Sequence, residues 1–457
     1  MNKIIFATGN AGKMKEIREI LQDMNMEILS MKEAGIEADI IEDGKTFEEN
    51  AMIKAKEIAK YLAEEKQIPL VLGSATPDMN TYHKAVNGEI ELLELTKRAN
   101  QMELPEVKIV DLRQELAHGN KSMISTELKA EIEENIKNKK QTILFLNRRG
   151  FSTFIMCRDC GYTAKCKNCN ITLTYHLKEN KLKCHYCGYE TKAITVCPEC
   201  GSKNIRYFGT GTQKLEEQIK TLFPQASTIR MDIDTVTKKN SHEEILNKFK
   251  KEGIDILIGT QMVVKGHDFP NVTLVGVIAA DSSLNIDDYR AHERTFQTLT
   301  QVAGRAGRGK DKGKVIIQTY NPDAFCIQYA KKQDYKVFYN TEIMLRKQLR
   351  YPPFCDIILV GISSENKNEI VNVSNKIYDD IKEKIKQEDL KILLYKPVPA
   401  PIDRIKNKFR WRIIVKCKLD EKITKSLKHT IEKVEKEIKN TKYETRIIVD
   451  VNPSNML

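Results

Sequence analysis

Four Cys-x-x-Cys pairs lie within 44 residues of this 457-residue chain: Cys157/Cys160, Cys166/Cys169, Cys184/Cys187 and Cys197/Cys200. They use eight of the eleven cysteines. Eight thiolates are the ligand count of two four-cysteine zinc sites, and two intervening residues let both sulfurs of a pair reach one tetrahedral ion from a tight turn. The next position fits: Gly161, Gly188 and Gly201 follow three pairs and Asn170 the fourth. All four can take the positive φ that such a turn needs. The expectation is two zinc ions per chain.

A disulfide framework is the bland alternative, but it belongs to short secreted chains. This chain is long, starts without a signal-peptide pattern, and has no run near the ~18 apolar residues of a membrane span. A reducing, cytoplasmic location with no membrane association is expected. An iron–sulfur cluster fits less well, because paired turns flanking a hairpin suit zinc. Cys326, Cys355 and Cys417 stand alone and read as structural thiols.

Between Cys169 and Cys184 runs NITLTYHLKENKLK. It alternates about a polar turn and reads as a β-hairpin. A hairpin joins its ends, so the two inner pairs should share one ion and the two outer pairs the other. Sequential pairing across the short GYTAK link stays open.

Length implies about three domains. The net charge of +12 suggests a polyanionic partner, and its distribution says more. Residues 1–60 carry nine basic and twelve acidic side chains, whereas residues 391–430 carry twelve basic and three acidic. In the latter, RIKNKFRWRIIVKCK interleaves Phe409 and Trp411 with Arg404, Arg410 and Arg412. Rings stack on bases while guanidinium groups neutralise phosphates, so Arg410, Trp411 and Arg412 are candidate nucleic-acid contacts. A solvated face of a lysine-rich protein is the competing explanation.

The middle of the chain alternates strands and helices. TILFLN (142–147), DILIGT (255–260), VTLVGVIAA (272–280) and KVIIQT (314–319) are nearly continuous apolar runs, as in parallel strands buried on both faces. Amphipathic helical stretches lie at 127–140, 212–223 and 241–252. The class is α/β. The cysteine segment is expected as an insertion at 155–205, after FLNRRGF, with the sheet resuming by RYFGTGTQ.

Three further motifs carry chemistry. QVAGRAGR (301–308) places Arg305 and Arg308 three residues apart, near one face of a helix, with Gly304 and Gly307 permitting close backbone approach. ILIGTQMVVKGHDFPNVTLV (256–275) ends a strand at Thr260 and Gln261 and continues into a loop with Lys265, Gly266 and His267. Strand C-terminal ends are where α/β sheets present ligand loops. LVLGSATP contributes Ser74 and Thr76. These arrangements resemble superfamily 2 helicases. There, the arginines face the ATP γ-phosphate from a second RecA-like lobe, and the hydroxyls couple nucleotide state to nucleic-acid grip.

Together with ILFLNRRGF, the eight cysteines, GTGTQ (209–213), YPPF (351–354) and the basic C-terminal block, the chain from about residue 61 resembles the PriA family of primosomal replication-restart helicases. The resemblance implies an ATP- and Mg-dependent 3′→5′ DNA helicase that binds forked and single-stranded DNA. It implies partners as well: single-strand DNA-binding protein, other primosome proteins and the replicative helicase loader. It implies inner-with-inner and outer-with-outer cysteine pairing. The organisation it implies is the end of a first helicase lobe at 61–87, a RecA-like second lobe at 88–340 carrying the zinc insertion, and a C-terminal α/β domain at 341–457.

A P-loop and an acidic metal box should accompany such a motor. DGKTFEEN ends like a P-loop at Gly44-Lys45-Thr46, but Asp39 stands where the pattern needs glycine, and no Asp-Glu-x-His box occurs. The front, 1–60, instead resembles the inosine/xanthosine-triphosphate pyrophosphatases. Thr8, Asn10 and Lys13 match positions that in that family meet the nucleotide triphosphate, and Glu49 and Asn50 match as well, but its Asp-Asp-Ser-Gly segment is replaced by VLGSATP. The expectation is a helicase-type chain joined near residues 55–65 to a pyrophosphatase-like fragment. A zinc-dependent DNA- and primosome-binding module without catalysis is the alternative, and a purine nucleotide pyrophosphatase the remote one.

Overall fold

The structure, a computed structural model, describes residues 2–6, 26–30, 33, 59–63, 65, 67, 70–94, 104–146, 154–177, 179–208, 211–232, 241–260, 269–307, 309, 311–438 and 445–456. The chain divides into two compact units, Met1–Ala75 with Val449–Met456, and Thr76–Ile448 with Leu457. In the first, β1 (Asn2–Phe6) runs parallel to β2 (Met26–Ser30), with Ile4 opposite Ile28. Thr8, Asn10, Lys13, Glu49 and Asn50 lie outside the described residues.

The second unit is built on β3 (Glu106–Asp111), β4 (Gln141–Phe145), β10 (Thr228–Met231), β11 (Ile256–Gly259), β12 (Val272–Val277) and β13 (Lys314–Thr319). They form one parallel sheet in the order β10-β11-β4-β12-β13-β3. The four apolar runs of the sequence supply its middle. Every residue of β4 is buried, because helices cover both faces. Leu144 turns to the side where the helices Thr126–Lys137 and Thr212–Leu222 insert Leu128, Ile132, Leu215 and Ile219. Ile143 and Phe145 turn to the other side, against Phe249, Phe296, Leu299 and Phe338. Each buried aliphatic or aromatic side chain contributes about 1.5–3 kcal/mol. Gly276 lets one helix approach closely: a Cβ there would lie 2.9 Å from Leu128 and Leu144 methyls. Edge strand β3 escaped the sequence reading, since EVKIVD is only partly buried and interrupts its apolar residues with charges.

The insertion leaves the sheet through a two-stranded neck. Between β4 and the helix Thr212–Leu222, β5 (Phe154–Cys157) pairs antiparallel with β9 (Ile205–Phe208). RYF therefore closes the insertion, and the sheet resumes only at β10, contrary to expectation. The segment's polar alternation suits a partly exposed ribbon rather than a strand buried on both faces. Inside the insertion, β6 (Thr174–His176), β7 (Lys181–Lys183) and β8 (Glu190–Lys192) form a meander, its first turn at the expected hairpin.

The C-terminal region carries an antiparallel sheet. Here β14 (Asp356–Ser364) and the two-residue strand β15 (Leu393–Leu394) flank β17 (Lys408–Cys417), which also pairs with β16 (Val398–Ile405). The helix Lys367–Glu388 packs through Ile370, Val373, Ile377 and Ile381, a spacing that keeps one stripe on the sheet. No helix among the described residues is long and apolar enough to cross a membrane.

Candidate metal centres

Each cysteine pair closes one repeated turn. The amide four residues after the first cysteine donates back to that cysteine's carbonyl: Gly161 to Cys157 at 2.9 Å, Asn170 to Cys166 at 2.8 Å, Gly188 to Cys184 at 3.0 Å and Gly201 to Cys197 at 2.9 Å. The first cysteine's own amide donates to the following residue's carbonyl, for example Cys157 to Tyr162 at 2.9 Å. These donors sit at φ +80°, +55°, +72° and +71° respectively, the left-handed region open to glycine and asparagine.

The turns assemble into two quartets, Cys157/Cys160/Cys197/Cys200 and Cys166/Cys169/Cys184/Cys187, with all sulfurs of a quartet within 4.8 Å. This is the inner and outer pairing expected from the hairpin. Cross-pair sulfurs approach to 3.7 Å (Cys157–Cys200), 3.5 Å (Cys160–Cys197) and 3.6 Å (Cys166–Cys187). A zinc–sulfur bond of about 2.3 Å in a tetrahedron gives an edge of about 3.8 Å, and a disulfide needs about 2.05 Å. All eight cysteines are free thiols. The donor sets thus fit two four-sulfur zinc ions, which supply a cross-link rather than an open reactive position.

The quartets differ in exposure and anchorage. Cys200 is exposed, whereas Cys166, Cys169 and Cys184 are buried. Around the outer quartet, Arg113 reaches the Cys160 carbonyl at 3.4 Å and Thr163 donates to Asn285 at 3.0 Å. A Cβ on Gly161 would stand 2.3 Å from the Tyr320 carbonyl oxygen. The inner quartet meets a buried polar layer from the C-terminal region. Tyr351 donates its hydroxyl to the Cys169 carbonyl at 2.9 Å. Arg412 donates Nε and Nη2 to the His185 carbonyl at 2.9 and 2.7 Å.

The same layer fixes the nearby charges. Burial and the facing Arg412 guanidinium hold the His185 imidazole down to about 3, so it is neutral. Its Nδ1–H donates to the Pro399 carbonyl at 3.2 Å, which leaves Nε2 to accept from His176 Nε2–H at 3.1 Å. Burial works to raise the Asp288 carboxyl, but Arg290 and Arg294, 3.1 and 3.2 Å away, outweigh it and hold it well below the usual carboxylate range. Tyr289 stacks on Tyr351 with ring centres 4.7 Å apart. Lys416 Nζ lies 3.5 Å from the centre of the Tyr351 ring, and burial pulls its amine down to about 8. Sequence reasoning missed this layer. Its visible marks were YPPF, whose tyrosine is Tyr351, and Arg412, which the sequence assigned to nucleic acid instead.

The basic C-terminal stretch divides. Arg410 and Trp411 are half-buried, and the Arg404 guanidinium lies over Phe409 at 5.0 Å near the hairpin tip. Arg412 does not fit its expected role as a nucleic-acid contact. It is 3% exposed and spends its donors on the His185 carbonyl, because the inner knuckle covers this part of the strand, whereas Arg410, on the same strand face two residues earlier, stays half-buried.

The helicase-type motifs are placed in part. Ser74 is exposed and Thr76 buried, and the Thr76 carbonyl accepts from Gln297 at 3.4 Å. Thr260 follows β11 directly. Gln261, Lys265, Gly266 and Arg308 lie outside the described residues. Arg305 is not on a helical face: the helix Ala291–Ala303 ends at its C-cap Gly304, and Arg305 occupies the turn beyond, half-buried. Close approach belongs to Gly307, whose Cβ would meet the Gly313 amide nitrogen at 2.4 Å. At Gly304 the nearest atom is an ordinary 3.5 Å away. Of the lone cysteines, Cys326 and Cys417 are buried, and burial pushes the Cys417 thiol up to about 12 and that of half-buried Cys355 up to about 11.

Four family models match parts of the chain. Residues 4–72 match the Ham1 family, 166–192 the PriA DNA helicase Cys-rich region domain, 192–310 the helicase conserved C-terminal domain and 347–454 the Primosomal protein N C-terminal domain. A replication restart protein PriA of Bacillus subtilis is 46% identical over 410 residues, 90% of this chain and 50% of that protein. The PriA of Synechocystis is 43% identical over 370 residues, 79% of this chain and 44% of its own length. That of Borreliella burgdorferi is 38% identical over 380 residues, 83% and 56% respectively. The chain thus spans about half the length of these relatives.

Proposed function

We propose that the chain, similar over most of its length to PriA replication restart proteins, forms the second lobe, zinc module and DNA-engaging C-terminal domain of an ATP-dependent 3′→5′ DNA helicase acting at forked and single-stranded DNA. The observation that carries this reading is the placement of two four-cysteine quartets on an insertion between β4 and the next helix of a parallel sheet. In this reading the domains are 61–87, 88–340 with the insertion 155–205, and 341–457, behind a pyrophosphatase-like 1–60.

Each residue then has a task. The eight cysteines hold two zinc ions. Arg305 and Arg308 neutralise charge on the ATP γ-phosphate. Ser74 and Thr76 link nucleotide state to grip, and Thr260, Gln261, Lys265 and Gly266 line the cleft or the DNA. Arg410 and Trp411 meet nucleic acid, and Arg412 supports them from inside the sheet. Mg, single-strand DNA-binding protein, other primosome proteins, the replicative helicase loader and a cytoplasmic setting belong to the same proposal.

A second reading keeps DNA and zinc binding but not turnover. It is favoured by the sequence, which contains neither a complete Gly-x4-Gly-Lys-Ser/Thr pattern nor an Asp-Glu-x-His box. The test is fluorescence anisotropy on forked and single-stranded DNA beside a phosphate-release assay. Binding of either DNA is expected, and its absence at low salt overturns the proposal. DNA-stimulated ATP hydrolysis abolished by Arg308→Ala overturns the second reading.

A further inference from the structure

The two quartets share one turn geometry but have different anchors. Both touch the parallel-sheet region, the inner one through Tyr186, whose hydroxyl accepts from the Tyr289 amide at 3.4 Å. Among the described residues only the inner knuckles give backbone carbonyls to the C-terminal region. We infer that the inner quartet is a metal-dependent joint between the insertion and the C-terminal sheet, with Tyr351 and Arg412 as its positioning residues. This rests on the reading that the quartets hold metal ions.

Both knuckles of the inner quartet give a backbone carbonyl to the C-terminal region. Cys169 gives its own to Tyr351, and Cys184/Cys187 give that of the intervening His185 to Arg412. All three bonds are buried. Two further contacts lock the second knuckle: His185 Nδ1 on the Pro399 carbonyl, and Gly188, where an added Cβ would press Val398 at 3.0 Å. The Arg412 guanidinium also lies 5.6 Å from the centre of the Tyr186 ring, which belongs to the same knuckle. The outer quartet's neighbours described above, Arg113, Asn285 and Tyr320, all come from the parallel-sheet region instead.

The chemistry makes the coupling two-way. A metal ion fixes where four sulfurs sit, and so fixes the carbonyls of the turns that carry them. Without the ion the turns relax, and the oxygens that Tyr351 and Arg412 address move in a place where water cannot replace them. Conversely, donors that hold a ligand's backbone pre-organise the site, as outer partners of metal ligands generally do. Linkage requires the two effects to be equal: whatever the C-terminal contacts add to metal affinity, the metal adds to those contacts.

The experiment follows metal release from the full chain to a chromogenic chelator. Cys157→Ser and Cys166→Ser backgrounds report the inner and the outer ion separately. Tyr351→Phe removes one hydroxyl and keeps the ring, and Arg412→Met removes the forked donors. Each is expected to speed release of the inner ion roughly 10-fold or more and to leave the outer ion's rate unchanged. In the reverse direction, Cys166→Ser should raise amide hydrogen exchange across residues 398–417, and Cys157→Ser should not. Equal acceleration of both ions, as general destabilisation would give, overturns the inference. So does an unchanged inner rate in Tyr351→Phe, or exchange that rises in both serine variants. A purified chain that binds no metal under zinc-replete conditions overturns the metal reading itself, an outcome distinct from metal bound without coupling.

Discussion

Replacing Glu293 with alanine should cost about 3–5 kcal/mol, a large effect for a residue outside the motifs. Glu293 lies on the helix Ala291–Ala303, 5% exposed, and serves two close partners besides a longer 3.4 Å bond from Gln297 Nε2. Its Oε2 accepts from Arg346 Nη2 at 2.6 Å, and its Oε1 accepts from the Met79 amide at 2.9 Å. Met79 opens the helix that follows GSATP, so its amide has no partner within that helix. Arg346, 3% exposed, keeps Glu342 at 3.0 Å. Truncation removes a hydrogen bond to a charged group, worth about 1.5–3 kcal/mol, and strands a buried amide, at about 1–3 kcal/mol. The sum matches the about 3–5 kcal/mol typical of breaking a buried ion pair from one side. Glu293→Gln keeps an acceptor for the Met79 amide and should lose about half as much. Urea unfolding at pH 7, read from midpoints at a common slope, measures both. A loss below about 1 kcal/mol for Glu293→Ala, or equal losses for the two variants, refutes the assignment of stability to this carboxylate. Independent additivity of Glu293→Ala and Arg346→Met in a double-mutant cycle would also count against it.

Elemental analysis should find two zinc ions per chain, with Cys166→Ser and Cys184→Ser losing one ion and Cys157→Ser and Cys200→Ser losing the other. Arg410→Ala should weaken DNA binding and reduce the salt slope by about 1, whereas Arg412→Ala should act mainly through stability, as a lower melting temperature in calorimetry. Asp288 has a folded pKa depressed below its ordinary 3.8. Its contribution is therefore complete above about pH 4 and is lost as the pH falls toward the folded value. Asp288→Asn should lower stability at pH 7 and flatten the acid limb of a stability–pH profile. Gly161→Ala meets both a φ of +80° and a carbonyl at 2.3 Å. It should displace the outer knuckle and speed release of the outer ion before the inner one.

Much of the architecture is legible in the sequence because one physical signal dominates each part. Strands β4, β11, β12 and β13 are buried on both faces and read as continuous apolar runs. The helices between them carry one apolar stripe. The cysteine turns announce themselves by spacing and by the glycine or asparagine that follows. Edge strand β3 and the neck strands have mixed patterns that a linear reading passes over. The arginine motif looked helical because its spacing is helical, yet the helix stops at Gly304. The basic C-terminal stretch looked uniformly exposed because composition does not say which part of a strand a distant element covers.

The sequence alone determined the ligand chemistry. Eight thiolates in four tight turns, each with a residue tolerant of positive φ, leave little else for those residues to do, and the hairpin between the inner pairs brings them together. Only the tertiary structure decided what surrounds each quartet. Tyr351 lies 182 residues from Cys169 and Arg412 lies 227 from His185. A carbonyl that accepts across such a separation leaves no periodicity and no motif. It exists because the folded C-terminal sheet places two donors against backbone oxygens that the metal-binding turns hold still.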